Sequence, residues 1–444
     1  MRLCVIGVGH VGLVTAACFA ELGHHVVGVD DDHGRVAALA AGQTPFHEPG
    51  LGDLVTRHLA SGRLTFTGRH AEGIADAEAV FICVGTPRRA DGAPNLAYVQ
   101  SAAASVAQLA ERPTVVVEKS TVPVRTGERI KQALTLQAQA RGGALIHQVA
   151  SNPEFLREGA AVADTLRPDR IVVGADEARA HEVLADVYAP MLAQHRCPYV
   201  ATDVRTAELI KHASNAFLAT KISFINAVAR VCELSGADVQ TVADAMGHDA
   251  RIGRAFLNAG LGYGGSCFPK DVEAFVHIAA DLGYDFGLLR ETDRINREAK
   301  AWPLAQLRRL VWNLADKEVA VLGLAFKPGT DDIRDAPALD VIEDLRAEGA
   351  HVRLHDPVAL GHVADRWADV RLCDKVDEAL EGAHAVVVAT EWDEYRAISP
   401  ERLLELLTYP VVVDARGVWD PNALAKGGLT VASVGRPLVA VPGV

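Results

Sequence analysis

The stretch that decides the fold is Leu3-Cys4-Val5-Ile6-Gly7-Val8-Gly9-His10-Val11-Gly12, a short apolar run followed directly by a turn with three glycines. This pattern is typical of the strand, turn and helix that open a dinucleotide-binding domain. We expect Gly7 to allow the tight turn, Gly9 to let a pyrophosphate approach the helix N-terminus, and Gly12 to permit close packing. Asp30 closes the next predicted strand, where a carboxylate can accept from a ribose 2′-hydroxyl and disfavours a 2′-phosphate. The sequence therefore predicts NAD, rather than NADP, as the cofactor.

Short apolar runs alternate with helical stretches on both sides of one long helical segment. The predicted strands are residues 3–7, 25–30, 79–84, 114–119 and 145–151, and then 318–323, 351–355, 385–389 and 411–414. Such alternation is typical of parallel sheets covered by helices, and the apolar spacing over 202–236 predicts a single helix. We expect an α/β fold, with two Rossmann-like doubly wound parallel-sheet domains joined by a long central helix. The expected domains are 1–200 for NAD, 201–302 for dimerisation and 303–444 as a second nucleotide-handling domain, with a loose tail from about residue 436.

The composition of the 444 residues excludes several classes of protein. The formal net charge of -13, without any run of basic residues, argues against a nucleic-acid partner. Seven widely spaced cysteines with no Cys-x-x-Cys pair predict neither a disulfide framework nor a metal site, and they fit a reducing, cytoplasmic location. We also expect no signal peptide and no transmembrane helix, because no apolar run approaches about 18 residues.

A reactive thiol is predicted in Gly262-Tyr263-Gly264-Gly265-Ser266-Cys267-Phe268-Pro269-Lys270-Asp271. The glycines before Cys267 remove side-chain bulk and let a substrate approach the sulfur, while Lys270 is expected to favour the thiolate. The ordinary alternative is a buried cysteine in a glycine turn. That is our interpretation of the other six cysteines, which are Cys4, Cys18, Cys83, Cys197, Cys232 and Cys373.

Two further motifs carry charged groups at a spacing of four residues. In Ser151-Asn152-Pro153-Glu154-Phe155-Leu156-Arg157-Glu158-Gly159, we expect Glu154 and Glu158 to lie on one helical face, and a solvated helix start is the alternative. Lys211 and Asn215 repeat this spacing on the central helix among apolar neighbours. A cation there is costly unless it meets an anion, and the alternative is a side chain that extends to solvent.

With these motifs in this order, the chain resembles the UDP-glucose/GDP-mannose dehydrogenase family over nearly its whole length. The resemblance implies an N-terminal NAD domain, a C-terminal UDP-sugar domain and a central helix that builds a homodimer or a larger homo-oligomer. It implies NAD-dependent oxidation of UDP-glucose to UDP-glucuronate in two hydride transfers. GDP-mannose or a UDP-N-acetylhexosamine is an alternative substrate, although Phe268-Pro269 favours UDP-glucose. Two other readings stay open, a two-electron dehydrogenase and a non-catalytic nucleotide-sugar sensor.

The resemblance also implies a role for each catalytic residue. Cys267 would attack the aldehyde from the first oxidation, and the thiohemiacetal would give a second hydride and then a thioester. Lys211 and Asp271 would assist proton removal and stabilise oxyanions, Glu154 would activate the hydrolytic water, Thr121 would help to position that water, and Asn215 would orient the sugar.

The binding residues carried over by the resemblance fall into two sets. Besides the three glycines, the implied NAD contacts are Val11, Asp30, Arg35, Thr86, Thr121, Glu158, Lys270 and Arg334. The implied substrate contacts are Glu154, Phe155, Leu156, Lys211, Asn215, Phe256, Leu257, Asn258, Ala259, Gly260, Gly264 and Lys327, with Arg251 reaching the sugar of the neighbouring subunit.

Three positions depart from the family pattern. Arg125 stands where the family usually has glycine, His212 replaces a common aromatic residue, and Val431-Ala432-Ser433-Val434 replaces a segment that often contains an aromatic residue. None of the three belongs to the implied catalytic set.

Overall fold

The structure is a computed structural model that describes residues 1–89, 92–140 and 147–440. The chain divides into two compact units. Unit 1 contains Met1–Ser214 and Glu273–Tyr284, and unit 2 contains Asn215–Val272 and Asp285–Val444.

Unit 1 is built on one mixed but mainly parallel sheet. Its strands are β1 (Arg2–Ile6), β2 (His25–Val29), β3 (Leu64–Thr67), β4 (Ala79–Ile82), β5 (Val115–Glu118), β6 (Gln148–Ser151), β7 (Ile171–Ala175) and β8 (Tyr199–Thr202). Within the described residues this sheet has eight strands in the order β3-β2-β1-β4-β5-β6-β7-β8, and β6 and β7 pair antiparallel while the other pairs are parallel.

The helices of unit 1 cover both faces of this sheet. They are α1 (His10–Glu21), α2 (His33–Ala40), α3 (Leu51–Ala60), α4 (His70–Ile74), α5 (Ala97–Leu109), α6 (Thr126–Ala140), α7 (Ala161–Leu166) and α8 (Ala178–Gln194). Strand β1 shows why both faces need cover, since Leu3 and Val5 enter one apolar cluster while Cys4 and Ile6 enter the other. Continuous apolar strands of this kind are stable only between two helical layers.

Unit 2 repeats the plan with a smaller sheet. Its strands are β9 (Glu318–Leu322), β10 (His351–His355), β11 (Arg371–Leu372), β12 (Ala385–Val388), β13 (Val411–Asp414) and β14 (Thr430–Ser433). Across the described residues these six strands are parallel, in the order β11-β10-β9-β12-β13-β14. In β9, Val319 and Val321 enter one buried cluster and Ala320 and Leu322 enter another.

The remaining helices include two that continue from one unit into the other. They are α9 (Val204–Ser235), α10 (Val239–Gly247), α11 (Phe268–Asp281), α12 (Gly287–Leu310), α13 (Pro337–Ala347), α14 (Val376–Leu380), α15 (Asp393–Arg396), α16 (Pro400–Leu406) and α17 (Pro421–Lys426), with a 3-10 helix at Leu360–Val363. Helix α9 is 32 residues long and crosses from unit 1 to unit 2, and α11 crosses in the opposite direction. No helix in the described ranges is long and apolar enough to span a membrane.

The predicted fold class is confirmed, with two doubly wound sheets that share one strand order and a long helix between them in sequence. Strands 351–355 and 411–414 match their predicted bounds, and six of the other predicted strands differ by one or two residues at one or both ends. The predicted strand 145–151 is seen as β6, and residues 145 and 146 lie outside the described residues.

Five strands were missed by the sequence analysis, namely β3, β7, β8, β11 and β14. Strands β3, β8 and β11 lie at sheet edges and are partly exposed, so their sequences lack a continuous apolar run. Strand β7 is buried throughout, and its run Ile171-Val172-Val173 did carry the signal.

The expectation of a loose tail from residue 436 is wrong as far as residue 440. Val439 forms a bridge with Val431 in β14, and the Arg436 guanidinium donates to Asp238 at 3.2 Å. The tail beyond residue 440 lies outside the described residues.

Candidate active site

The glycine turn after β1 has the geometry predicted for it. Gly7 has φ of +89°, which favours glycine, and a Cβ on Gly12 would lie 1.7 Å from the Gly7 carbonyl oxygen. Gly9 is the N-cap of α1, and a Cβ there would meet nothing within 4 Å. The turn is therefore closed toward the protein and open in front of the helix N-terminus, where backbone N–H groups favour a pyrophosphate. These residues fit the dinucleotide.

Asp30 follows β2 and is already part of a small network. Its Oδ2 accepts from the Val8 N–H at 2.9 Å, and the Arg35 guanidinium contacts both carboxylate oxygens at 3.0 to 3.1 Å. The side chain is 11% exposed. Oδ1 also accepts from the Asp32 N–H at 3.0 Å. A carboxylate has about four acceptor positions, so a ribose hydroxyl would take the place of one of these contacts or share its oxygen.

Thr86 and Thr121 lie near the same edge of the sheet, after β4 and β5. The Thr86 hydroxyl donates to the Thr121 carbonyl at 3.0 Å. This bond fixes the backbone at Thr121 and leaves its hydroxyl for other roles.

Glu154 and Lys211 form an ion pair, although they are 57 residues apart in the sequence. Lys211 Nζ lies 2.9 Å from Glu154 Oε1, and the two side chains are only 5% and 6% exposed. The alternative that Lys211 extends to solvent is therefore wrong. Removing one partner of such a buried pair leaves the other charge buried and uncompensated, which is strongly destabilising, so the structure favours the paired arrangement.

The prediction that Glu154 and Glu158 share a helical face is wrong. Residues 152–157 adopt no helix, and α7 begins only at Ala161. Glu154 Oε2 instead accepts from the Leu156 N–H at 2.9 Å, which replaces a helical hydrogen bond. Gly159, with φ of +79°, then turns the chain before the helix starts.

Lys119 is a second buried lysine near Glu154 that the sequence analysis did not single out. Its Nζ donates to Asn152 Oδ1 at 3.1 Å, and the Tyr188 hydroxyl donates to the same oxygen at 2.5 Å. Asn152 Nδ2 donates to the Val172 carbonyl at 2.8 Å, which fixes the residue that enters the Pro-Glu turn. Burial lowers the pKa of Lys119, while the carboxylate of Glu154 opposes that shift.

Cys267 directly precedes α11, and its carbonyl accepts from the Asp271 N–H at 2.8 Å. The side chain is partly exposed, so the alternative of a core cysteine is wrong for this residue. An anionic sulfur is favoured at a helix N-terminus. The hydroxyl of Ser266 lies 3.5 Å from Sγ.

The other cysteines behave as predicted with one exception. Cys4, Cys18, Cys83, Cys232 and Cys373 are buried, but Cys197 is only partly buried, so its prediction is wrong. Cys197 lies in the short connection between α8 and the edge strand β8, where one side of the chain faces solvent.

Asp271 is the centre of a second buried group, which lies in unit 2. Its Oδ2 accepts from Asn215 Nδ2 at 2.6 Å, and its Oδ1 accepts from Lys270 Nζ at 2.7 Å. Asp271 is 1% exposed. Lys270 is thus paired with a carboxylate, and the start of α11 is a further source of positive potential beside Cys267 that the sequence analysis missed.

The segment Phe256-Leu257-Asn258-Ala259-Gly260 is held in an unusual backbone conformation. Phe256 has φ of +65°, which is a strained value for a bulky residue. Residues in such strained backbone conformations cluster at ligand-binding segments. The Gly260 N–H donates to Asn226 Oδ1 at 2.8 Å. A Cβ on Gly264 would lie 2.3 Å from the Asp335 carbonyl oxygen, so this position tolerates only glycine.

Arg416 is a functional candidate that sequence reasoning missed. Its Nε donates to the Ala389 carbonyl at 2.7 Å, and a Cβ on Gly260 would lie 3.3 Å from its Nη1. The guanidinium therefore lies at the carboxyl ends of β12 and β13, beside the 256–260 segment. It follows Asp414-Ala415 at the end of a predicted strand, and that position was the available signal.

The other predicted residues of unit 2 are placed as follows. Lys327 Nζ lies 5.4 Å from the Phe326 ring centroid, Arg334 forms a bidentate pair with Asp332, and Arg251 is exposed beside Asp249. In unit 1, the Arg170 guanidinium lies over Phe155 at 3.8 Å.

The predicted site residues are thus divided between the two units. Unit 1 contains Gly7, Gly9, Val11, Gly12, Asp30, Arg35, Thr86, Thr121, Glu154, Phe155, Leu156, Glu158 and Lys211. Unit 2 contains Asn215, Arg251, the 256–260 segment, Gly264, Cys267, Lys270, Asp271, Lys327 and Arg334. Helix α9 links the two sets, because Lys211 and Asn215 are one turn apart on one face of it.

Unit 2 does not repeat the open turn of unit 1, although the strand order is the same. Asp356 follows β10 as Asp30 follows β2, but its Oδ2 accepts from the Leu324 and Ala325 N–H groups and from the Trp392 indole. Its Oδ1 accepts from the Val358 and Ala359 N–H groups. Backbone N–H groups of two loops and one indole thus occupy this carboxylate, so Asp356 does not offer the free acceptor expected at the end of the second strand of a dinucleotide-binding sheet.

The open turn at Gly9 and the groups around Glu154 and Cys267 place the chain in the class of NAD-dependent dehydrogenases. Three models of one family match successive parts of it: the NAD binding domain over residues 1–192, the central domain over 205–298 and the UDP binding domain over 320–421. The chain belongs to the UDP-glucose/GDP-mannose dehydrogenase family.

Individual relatives agree with this assignment. A UDP-glucose 6-dehydrogenase of Pseudomonas aeruginosa is 46% identical over 446 residues, which cover 98% of this chain and 98% of that protein. A UDP-glucose 6-dehydrogenase of Rhizobium meliloti is 45% identical and covers 98% of this chain and 100% of its own. The solved structure of a UDP-glucose dehydrogenase from Pyrobaculum islandicum is similar with a TM-score of 0.90 at 39% identity, over 98% of this chain and 97% of that one.

Proposed function

We propose that this chain oxidises UDP-glucose to UDP-glucuronate with NAD, in two hydride transfers through a covalent intermediate on Cys267. The observation that carries the proposal is the position of Cys267, partly exposed at the start of α11 after a run of glycines. The chain binds NAD through the open turn at Gly9, with Asp30 at the ribose. Bound NAD accepts the hydride in each oxidation. The proposed cytoplasmic location fits the seven free thiols.

The first oxidation removes a hydride from the C6 carbon of glucose and a proton from its hydroxyl. Lys211 and Asp271 are the groups we assign to this proton and to the developing oxyanion. Each is already fixed by hydrogen-bonded partners, Lys211 by the buried Glu154 and Asp271 by the buried Asn215 and the partly exposed Lys270. Groups held in this way stabilise charge without reorganising during the reaction.

The second oxidation takes place on the sulfur of Cys267. The thiolate attacks the aldehyde carbon and forms a thiohemiacetal, which loses a hydride to give a thioester. Water then cleaves the C–S bond, the proton of the attacking water passes to Glu154, and the thiol is restored. The tether keeps the reacting carbon in place between the two oxidations. Thr121 is assigned to positioning the water and Asn215 to orienting the sugar.

The nucleotide part of the substrate is assigned to unit 2. The proposed contacts are the 256–260 segment, Gly264 and Lys327, to which the position of Arg416 beside Gly260 adds a second cation for the diphosphate. Glu154, Phe155, Leu156, Lys211 and Asn215 are proposed at the sugar, and Val11, Arg35, Thr86, Thr121, Glu158, Lys270 and Arg334 at NAD. We keep the domain bounds 1–200, 201–302 and 303–444 as part of this proposal.

A homodimer through α9 is also proposed, with Arg251 reaching the sugar of the neighbouring subunit. Phe217, Phe224 and Val231 recur every seven residues on α9 and are 66%, 50% and 62% exposed. Large apolar side chains in such a row are typical of a helix face that packs against a partner.

The test is the yield of NADH per sugar. With limiting UDP-glucose and excess NAD, we expect two NADH and one UDP-glucuronate for each sugar consumed. One NADH without acid would contradict the covalent mechanism, and binding of both ligands without turnover would support a non-catalytic sensor. Parallel assays with GDP-mannose and a UDP-N-acetylhexosamine separate the alternative substrates, since a higher kcat/KM for either would contradict UDP-glucose.

A further inference from the structure

The segment from Thr121 to Gly127, which links β5 to α6, is fastened to α9 by two buried side chains. Glu208 Oε2 accepts from the Arg125 N–H at 2.6 Å, and Glu208 Oε1 accepts from the Gly127 N–H at 2.7 Å. One turn further along α9, His212 Nε2 donates to the Val122 carbonyl at 2.7 Å. Glu208 and His212 therefore hold both ends of this segment, which carries Thr121.

The backbone of the segment is strained where Glu208 contacts it. Arg125 has φ of +77°, a left-handed conformation that glycine adopts freely and that costs energy for a residue with a Cβ. The Glu208 carboxylate accepts the N–H of this same residue. The contact therefore retains a conformation that Arg125 would otherwise leave.

Both fastening residues lie on α9 next to Lys211. Glu208 precedes Lys211 by three residues, and His212 follows it directly. Glu208 and His212 are 2% and 1% exposed, so neither carries out a surface role. Because a helix is rigid over one turn, fixing the segment at these two residues also fixes Thr121 relative to Lys211.

Glu208 faces other titratable groups in this interior. Glu118 ends β5, and burial together with the negative charge of Glu208 raises its pKa well above the ordinary value. Burial likewise raises the pKa of Glu208 to about 7, with Glu128 of α6 acting in the same direction. Other charged or titratable groups on the packed elements include Lys119 beside Glu118, Arg125 in the segment itself, Arg205 paired with Glu128, and Lys211 and His212 on α9.

The ionisation of Glu208 decides how many backbone donors it can serve. Above a pH of about 7 both carboxylate oxygens accept an N–H, one from Arg125 and one from Gly127. Below that pH one oxygen becomes a hydroxyl, which donates its proton and accepts less strongly, so the N–H group that faces it is bound more weakly. Glu208 therefore binds the Thr121–Gly127 segment most firmly at a pH above about 7.

We propose that Glu208 and His212 are positioning residues that hold the Thr121–Gly127 segment in register with Lys211, and that protonation of Glu208 loosens this hold. The effect on turnover rests on the proposed function, since it acts through Thr121 and Lys211. The effect on the segment itself does not. The two parts are therefore measured separately.

The first measurement is hydrogen exchange of peptides covering 121–127, read by mass spectrometry. At a pH about one unit above 7, we expect exchange of these peptides to be about tenfold faster in Glu208→Gln than in the native chain. The NH2 group that replaces one carboxylate oxygen is a donor, so it cannot accept the backbone N–H group that faces it. The native chain should approach the variant when the pH is about one unit below 7. The matched control is Glu182→Gln, an exposed carboxylate on α8 of the same unit, which should leave this exchange unchanged. Equal exchange in the native chain and Glu208→Gln would overturn the proposal, whether or not the chain turns over UDP-glucose.

The second measurement is the pH profile of turnover. Glu208→Gln should lower kcat about tenfold at alkaline pH, with the KM for UDP-glucose changed less than about twofold, and should flatten the acid limb near pH 7. His212→Phe keeps an aromatic ring beside Phe275 and removes the bond to Val122, so it tests the same hold if Glu208→Gln folds poorly. It should speed exchange at 121–127 while keeping the acid limb. An unchanged acid limb in Glu208→Gln, in a chain that makes two NADH per sugar, would overturn the pH role of Glu208 alone.

Discussion

Lys211 Nζ donates to Glu154 Oε1 at 2.9 Å, and neither side chain is more than 6% exposed. The pair connects the turn after β6 with α9, and it brings a cation and a base into one place. Water screens such a pair weakly, so each charge depends on the other. The two residues we assign to the first and last chemical steps are therefore a single electrostatic unit.

Glu154→Gln tests the role assigned to hydrolysis. We expect kcat to fall by about 100-fold or more, because a positioned general base contributes at least that factor. Both hydrides should still leave, although more slowly because Lys211 loses its anion. If hydrolysis is slowed more than the oxidations, a thioester should accumulate on Cys267 and be visible as a mass adduct of the intact chain. Glu128→Gln, on the surface, is the control for the loss of a carboxylate. Full turnover in Glu154→Gln would show that another base serves the water.

Cys267→Ser tests the nucleophile. The variant should bind NAD and UDP-glucose with affinities close to those of the native chain, because only one atom changes. Its rate of UDP-glucuronate formation should fall far below that of the native chain. The matched control is Cys197→Ser, because Cys197 is the other partly exposed thiol. Product formed by Cys267→Ser as fast as by Cys197→Ser would remove the sulfur from the mechanism. Ligand affinities are measured by calorimetry and product by chromatography.

Asp30→Asn should weaken NAD binding more than turnover. The amide keeps one acceptor but loses the charge that pairs with Arg35 and accepts from the ribose, so we expect the KM for NAD to rise about tenfold. Use of NADP should rise at the same time, because the repulsion of a 2′-phosphate is removed. Asp31→Asn, at the exposed neighbouring residue, is the control. A variant with unchanged preference for NAD over NADP would contradict the assignment of Asp30.

Arg125→Gly should stabilise the protein. A non-glycine residue in the left-handed region costs about 1 to 2 kcal/mol, and glycine recovers part of this against its greater freedom in the unfolded chain, so we expect a net gain of about 0.5 to 1 kcal/mol. The N–H to Glu208 is kept. Arg129→Gly, inside α6, should instead destabilise by about 1 kcal/mol. Urea unfolding measures both, and a loss of stability in Arg125→Gly would show that the arginine side chain makes contacts that outweigh the strain.

Phe224→Glu tests the proposed dimer. Phe224 lies between Phe217 and Val231 in the exposed row on α9, and a charge there could not be buried against a second helix. We expect the variant to sediment as a monomer at concentrations where the native chain is a dimer. Leu404→Glu, at an apolar residue 44% exposed in unit 2 but outside α9, is the control. A dimer that survives Phe224→Glu would place the interface elsewhere.

The sequence predicted most of what depends on local pattern. The strand, turn and helix around Gly7 follow from glycine spacing and one apolar run, and Cys267 was identified because glycines and a lysine surround it. Edge strands such as β8 escaped because half of their residues face solvent, which removes the apolar signal. The Glu154–Glu158 prediction failed because one side-chain bond, from Glu154 to the Leu156 N–H, took the place of the helix.

The sequence did not predict side-chain contacts between residues that are distant in the chain. Nothing in the sequence around Lys211 indicates that its anion is Glu154, and nothing around Asn152 indicates that Lys119 and Tyr188 both bind its Oδ1. Arg416 was missed for a related reason, since its importance comes from its distance to Gly260 rather than from its neighbours in the chain. Such pairs require the strand order, which places the carboxyl ends of separate strands at one edge.

The carboxylate of Asp356 is occupied by five donors, four backbone N–H groups from two loops and the Trp392 indole, which leaves the turn at Gly9 as the open dinucleotide turn among the described residues. A chain with one such dinucleotide-binding turn cannot bind two NAD molecules at once. In the proposed mechanism, NADH must therefore leave this site and a second NAD must bind while the half-oxidised sugar stays in place. The proposed bond to Cys267 would retain the sugar during this exchange, and its lifetime would set the time available for the second NAD to bind.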